Sequence, residues 1–185
     1  MYYCVVYYPK IDTSKIDLLR QKYDPSYGAI KPHMTLVFPI NADLIKSEDI
    51  IGHVSNIAKA HQPFKINLSG LEKSWDNWLF LGVNDGRDYV VSLHDELYTG
   101  PLEPHWRKDL PFSPHISLGL FNKEGSSYSL KNPEIVAFNN EKYDQALREA
   151  KEANLDYQTN LDILTLIKLD NNLSEIVEST DFPLK

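Results

Sequence analysis

One short pattern occurs twice in this chain and limits what it can fold into. "KPHMTLVFPI" (31–40) and "FSPHISLGLF" (112–121) share the order proline, histidine, apolar residue, hydroxyl residue, leucine. His33 and His115 stand nearly half the chain apart. The element order around them also repeats. Residues 2–8, "YYCVVYY", are β-branched and aromatic and predict a strand. A helix is expected over 12–25, with Asp12, Thr13 and Ser14 as caps and Ile16, Leu18 and Leu19 as its apolar side. The first His strand covers 33–40. A second helix over 46–61, capped by Ser47, puts Ile50, Ile51, Val54, Ile57 and Ala58 on one stripe. A strand over 64–71 closes the series.

The same series then starts again. A strand is expected over 77–85, ended by Asn84-Asp85-Gly86. A helix over 88–98 follows, with Val90, Val91, Leu93 and Leu97 as its apolar side. Residues 99–114 hold four prolines and predict a loop. The second His strand spans 115–121. A Gly/Ser loop, a helix over 133–154 opening on Pro133, and strands over 161–170 and 174–184 complete the chain. Two copies of such a period are too few for a solenoid. With no low-complexity linker, the expectation is one duplicated α+β domain over 1–185, with halves of about 1–76 and 77–185.

Composition supports a globular fold. The chain has 185 residues, 42% hydrophobic and 24% charged, enough for one core. A net charge of −7 and a pI near 5.3 argue against coating long nucleic acid. One cysteine, Cys4, makes neither a disulfide nor a zinc cage, which fits a cytoplasmic protein. "MYYCVVYYPK" has no basic region before its apolar run, and no stretch is long enough to span a bilayer. No membrane contact is expected, and a monomer is.

Alternation on a strand sends His33 and Thr35 to one face and Met34 and Leu36 to the other. His115 and Ser117 oppose Ile116 and Leu118 in the same way. Each motif thus offers an imidazole beside a hydroxyl on a rigid support. Two imidazoles can serve as general base and general acid near neutral pH. Hydroxyls can donate to anionic oxygens without adding charge. In-line displacement at phosphorus uses these parts and requires no metal or cofactor. A lone histidine in an apolar strand is usually a core residue, but that reading does not account for the same string twice.

The other histidines take plainer readings. His53 and His61, eight apart around the second helix, read as solvated surface. His94 lies in the third helix. His105, with Trp106, Arg107 and Lys108, lies in the proline-rich loop, where it could rim a cleft. Trp75, Trp78, Tyr27 and Trp106 are candidates for stacking a base. Zincin, nucleophile-elbow, P-loop and dinucleotide-binding motifs are absent.

"HMTL" (33–36) and "HISL" (115–118), one in each half, resemble the paired H-x-[ST]-x motifs of the two-histidine (2H) phosphoesterase superfamily. That group includes 2′-5′ RNA ligase-like proteins and RNA cyclic phosphodiesterases. The resemblance covers nearly the whole chain. It implies a bilobal fold with antiparallel strands of both halves lining a central cleft and helices outside. It also implies His33 and His115 as the acid/base pair and Thr35 and Ser117 as holders of the phosphate oxygens. The implied activity is opening a 2′,3′-cyclic phosphate, or cleaving or joining a 2′-5′ linkage, on a short nucleotide or RNA end. Some RNA-processing members carry a basic residue after the second motif. "HISLGLF" has none, which points to a small ligand. The alternatives are a 2′-5′ RNA ligase and a binding module that holds a phosphorylated nucleotide or RNA end without turnover.

Overall fold

A computed structural model describes residues 1–123 and 137–185. Among them, eight strands form two four-stranded sheets, every pairing antiparallel. The first sheet runs β2 (Met34–Asn41), β1 (Tyr2–Tyr7), β7 (Ile163–Leu169), β8 (Ile176–Pro183). The second runs β5 (His115–Leu120), β4 (Trp78–Val83), β3 (Phe64–Lys73), β6 (Asp156–Leu161). Each His strand is therefore an edge strand, paired with the strand that opens its half. β3 crosses into the second sheet and β7 returns to the first, so the 76/77 division falls within the β3–β4 hairpin. The fold is α+β, as expected.

One apolar cluster joins both sheets. From the first come Tyr3, Val5, Tyr7, Met34 and Leu36, and from the second Leu68, Leu79, Leu81, Ile116 and Leu118. Four α-helices cover it: α1 (Ser14–Tyr23), α2 (Ser47–Ala60), α3 (Arg87–Leu97) and α4 (Asn140–Ala153). Their packing is reciprocal. α1, from the first half, lies on β5, while α3, from the second, lies on β2. Each His strand is thus backed by the other half's first helix. The α1–β5 approach is close: a Cβ on Gly119 would lie 2.5 Å from the Cβ of Tyr23, so glycine is needed there.

α3 also closes the open edge of β2. His94 is 2% exposed and its Nδ1 donates to the Leu36 carbonyl at 2.7 Å, while the Phe38 amide donates to the Tyr98 hydroxyl at 2.9 Å. Two side chains thus take up one carbonyl and one amide of that edge. Phe112 stacks flat on His94 at 3.6 Å. Burial pushes the His94 imidazole below its ordinary value.

Several expectations are corrected. Lys46 holds the N-cap position of α2 without a side-chain cap, and Ser47 is the first helical residue. Ile51 is 39% exposed, off the buried stripe of Ile50, Val54 and Ala58. Leu18 is 61% exposed, and the buried side of α1 is Ile16, Leu19, Arg20 and Tyr23. Arg20 is buried because Asp24 neutralises it. The proline-rich loop contains a 3-10 helix at Gly100–His105, where prolines suit a short tight turn. α4 begins at Asn140 rather than Pro133, because the Asn139 side chain accepts the Lys142 amide and Phe138 bridges to Asn122. The Gly/Ser loop and Pro133 lie outside the described residues. β6 was not anticipated; its polar alternation belongs to an edge strand.

Candidate active site

Alternation sorts both His strands as predicted. Met34, Leu36, Ile116 and Leu118 are fully buried, whereas His33, Thr35, His115 and Ser117 are half-buried. Thr35 pairs across the strand with Val6, which faces away from the main core with Cys4, Ile167 and Leu169. Ser117 pairs with Phe80, and His115 with Gly82. β2 and β5 pack against each other, and His33 is among the groups whose charge bears on His115. The two imidazoles are therefore near enough for the charge of one to act on the other.

Both rings are held alike. His33 Nδ1 lies 2.8 Å from the Lys31 carbonyl, and His115 Nδ1 lies 2.6 Å from the Ser113 carbonyl. In each case the acceptor is two residues back, across a proline. Proline keeps the residue before it extended, so that residue's carbonyl can meet the ring. A carbonyl only accepts, so Nδ1 carries the hydrogen and Nε2 is left to exchange protons. The proline of each motif thus selects a tautomer.

Electrostatics favour neutral rings. Burial is the main cause that lowers His33, and Arg20 adds to it; the Lys31 carbonyl and Asp24 pull upward. Burial likewise dominates at His115, pushed down to about 4, with His33 and Arg87 lowering it and the Ser113 carbonyl and Asp76 opposing. Phe80 contributes to that burial. Its ring lies on the His115 imidazole at 3.4 Å and 19°, and Trp78 stacks on Phe80 at 6.5 Å. Tyr8 stands beside His33 at 6.2 Å, tilted by 58°.

The loop into His33 is anchored from below. Arg20 Nε meets Asp24 Oδ2 at 2.7 Å, and both side chains are 2% exposed. Arg20 also donates to the Ile30 carbonyl at 2.9 Å, and Asp24 accepts the Ser26 amide at 2.8 Å. Neither residue was singled out from sequence, since an Arg and an Asp four apart on a helix usually read as a solvated pair. Phe80 was also missed, although its alternation with Trp78 and Gly82 places it on the face of His115.

The remaining candidates separate. Trp106 is used in packing: it stacks on Tyr98 at 5.9 Å under Lys108 Nζ at 4.9 Å. Arg107 pairs with Asp109 and is exposed. Trp75 and Tyr27 are 59% and 43% exposed. His53 and His61 are not solvated surface. His53 bonds the Leu97 carbonyl at 3.0 Å and His61 the Glu96 carboxylate at 2.9 Å, which ties α2 to α3. Among the described residues, no three His, Cys, Asp or Glu side chains gather as a metal-binding group, and no helix is long and apolar enough to cross a membrane.

Three solved structures share the fold over almost the whole chain. A protein from Thermus thermophilus superposes with a TM-score of 0.59 at 15% identity, covering 100% of this chain and 98% of its own. Usb1 from Kluyveromyces marxianus, with uridine monophosphate, gives 0.56 at 15%, covering 99% and 98%. LigT from E. coli, complexed with 3′-AMP, gives 0.54 at 16%, covering 100% and 95%. In sequence, a protein named "Putative phosphoesterase" from Bacillus cereus strain B4264 is 27% identical over 62% of this chain and 66% of its own length. A protein of that name from Halalkalibacterium halodurans is 28% identical over 54% and 58%. The matches thus span 66% and 58% of these relatives' lengths, under two thirds in each case. A family model described as the 2′-5′ RNA ligase superfamily matches residues 8–173, and on that match the chain belongs to this superfamily of two-histidine phosphoesterases.

Proposed function

We propose that this protein is a metal-independent phosphoesterase that opens the 2′,3′-cyclic phosphate of a short nucleotide or RNA end. The observation that carries the reading is the matched pair of imidazoles, each held at Nδ1 by the carbonyl two residues back. Two Nε2 atoms in one site can serve the two ends of an in-line displacement. Water attacks phosphorus and His115 Nε2 takes its proton. The bond from phosphorus to one ribose oxygen breaks, and His33 Nε2–H protonates that oxygen. A phosphomonoester results. Thr35 and Ser117 donate to the non-bridging oxygens.

His115 suits the base because a value near 4 keeps it neutral at physiological pH. His33 takes up its proton as the anionic phosphate enters, since a nearby negative charge favours imidazolium. The nucleotides named with fold relatives, 3′-AMP with LigT and uridine monophosphate with Usb1, support a substrate of nucleotide size. The acidity of the chain favours a small ligand over long RNA.

The test is a panel of 2′,3′-cyclic nucleotides and 2′-5′ dinucleotides followed by phosphorus NMR. Turnover of a cyclic nucleotide, lost in His33→Ala and His115→Ala, is the expected result. Tight binding of cyclic nucleotides with no turnover would replace this reading with that of a binding module.

A further inference from the structure

We propose that Arg87 is a positioning residue for His115, acting through Ser113; the catalytic part of this inference rests on the function proposed above. Ser113 is a node between three elements. Its carbonyl takes the Nδ1–H of His115 at 2.6 Å. Its hydroxyl accepts from Arg87 Nη2 at 3.0 Å and donates to Glu72 Oε2 at 3.2 Å. Arg87 Nη1 lies 3.4 Å from the Val83 carbonyl and 3.5 Å from Glu72 Oε1. The first residue of α3, the end of β3 and the loop before β5 are thus tied at one hydroxyl.

The strand beneath is shaped to admit this node. Gly82 is the cross-strand partner of His115, and a Cβ there would lie 2.7 Å from Glu72 Oε1. The carboxylate occupies the space that any other residue's side chain would fill. The adjacent Val83 amide donates to the Pro114 carbonyl at 3.2 Å, which fixes the peptide between Ser113 and His115. The first half anchors its loop differently, through Arg20 and the Ile30 carbonyl, with the guanidinium buried against Asp24. Arg87 is 37% exposed, so its charge is only partly offset by Glu72.

Geometry and charge then act together on one ring. Holding the Ser113 carbonyl keeps the hydrogen on Nδ1 and Nε2 free. The guanidinium disfavours imidazolium, alongside burial and His33, and against Asp76 and the Ser113 carbonyl. Among the described residues, Asp76, Arg87 and His33 are the charged or titratable groups whose charge acts on this ring, and Glu72 is paired with Arg87 behind it.

Nitrogen-15 NMR of the 185-residue protein reads the tautomer and titration of His115 directly. The wild type should show the Nδ1–H form. Arg87→Gln should mix the two tautomers and move the His115 titration to higher pH. Arg87→Lys should keep the titration low yet still mix tautomers, because one ammonium cannot reproduce the fork. Asp76→Asn should move the titration to lower pH. If Arg87→Gln does not fold, Ser113→Ala removes only the hydroxyl and should mix the tautomers by itself. A folded Arg87→Gln or Ser113→Ala protein with His115 tautomer and titration unchanged would overturn the proposal. The readout needs no turnover, so a wild type inactive on cyclic nucleotides would count against the proposed function and leave this inference standing.

Discussion

Replacing Arg20 by Met removes the cation of a fully buried pair and leaves Asp24 behind. Both side chains are 2% exposed and 2.7 Å apart, so little solvent relieves the abandoned carboxylate. Breaking such a pair from one side costs about 3–5 kcal/mol. The Ile30 carbonyl also loses its donor, which adds about 1 kcal/mol. For a chain of this length, each kcal/mol lowers Tm by about 2–4 °C, so a fall of about 10 °C or more is expected. Asp24→Asn leaves the guanidinium without its anion and should cost a similar amount. The double variant Arg20→Met/Asp24→Asn has no buried charge left. It should therefore cost about 2–3 kcal/mol less than the sum of the singles. Urea unfolding of the four proteins, with equal m-values, measures this coupling. A single variant that loses under about 1 kcal/mol, or a double equal to the sum, would refute it. The loop these residues hold carries Lys31, so each single variant should also lose activity at His33 beyond its loss of stability.

Further outcomes follow from the site. His33→Ala and His115→Ala should each lower turnover about 10²–10⁴-fold without unfolding the protein, and the double variant should lose less than their product. Thr35→Val and Ser117→Ala should cost less, since each removes one neutral donor. Activity should persist in EDTA, because the proposed mechanism uses only side chains; loss with rescue by a divalent ion would reject it. The pH profile of kcat/KM should be a bell whose optimum lies below neutrality, since both imidazoles are lowered and titrate as a pair. A lowered imidazole means that the unfolded chain binds more protons between the two values. Stability should therefore be complete above about pH 6.5 and fall as pH drops toward 4, and His115→Asn should flatten part of that slope. A slope identical in wild type and variant would contradict the assignment.

Most of the candidate site was readable because a strand obeys a period of two. His33 and Thr35 share one side of their strand, His115 and Ser117 one side of theirs, and the apolar residues between them go to the core. The fold class followed from the repeated element order. What could not be read depended on contacts distant in sequence. Arg20 looks like any helical cation until Asp24 and the Ile30 carbonyl enclose it. Leu18 looks like core until α1 turns Arg20 inward instead. β6 alternates polar residues against β3, and only that pairing identifies it as a strand. The node at Ser113 joins residues from three segments, so no local window contains it.

The crossing of strands between the halves also dictates when the protein can become structured during synthesis. Tyr2 pairs with Leu169, so the inner edge of β1 has no partner until that late residue has left the ribosome. The second sheet can assemble earlier, except for β6. β1 can pair early with β2, but its other edge must wait open for β7, and closing so long a loop is slow. A nascent chain in that state exposes a β-branched, aromatic strand to other chains, so a chaperone acting early in synthesis should raise the yield of soluble protein.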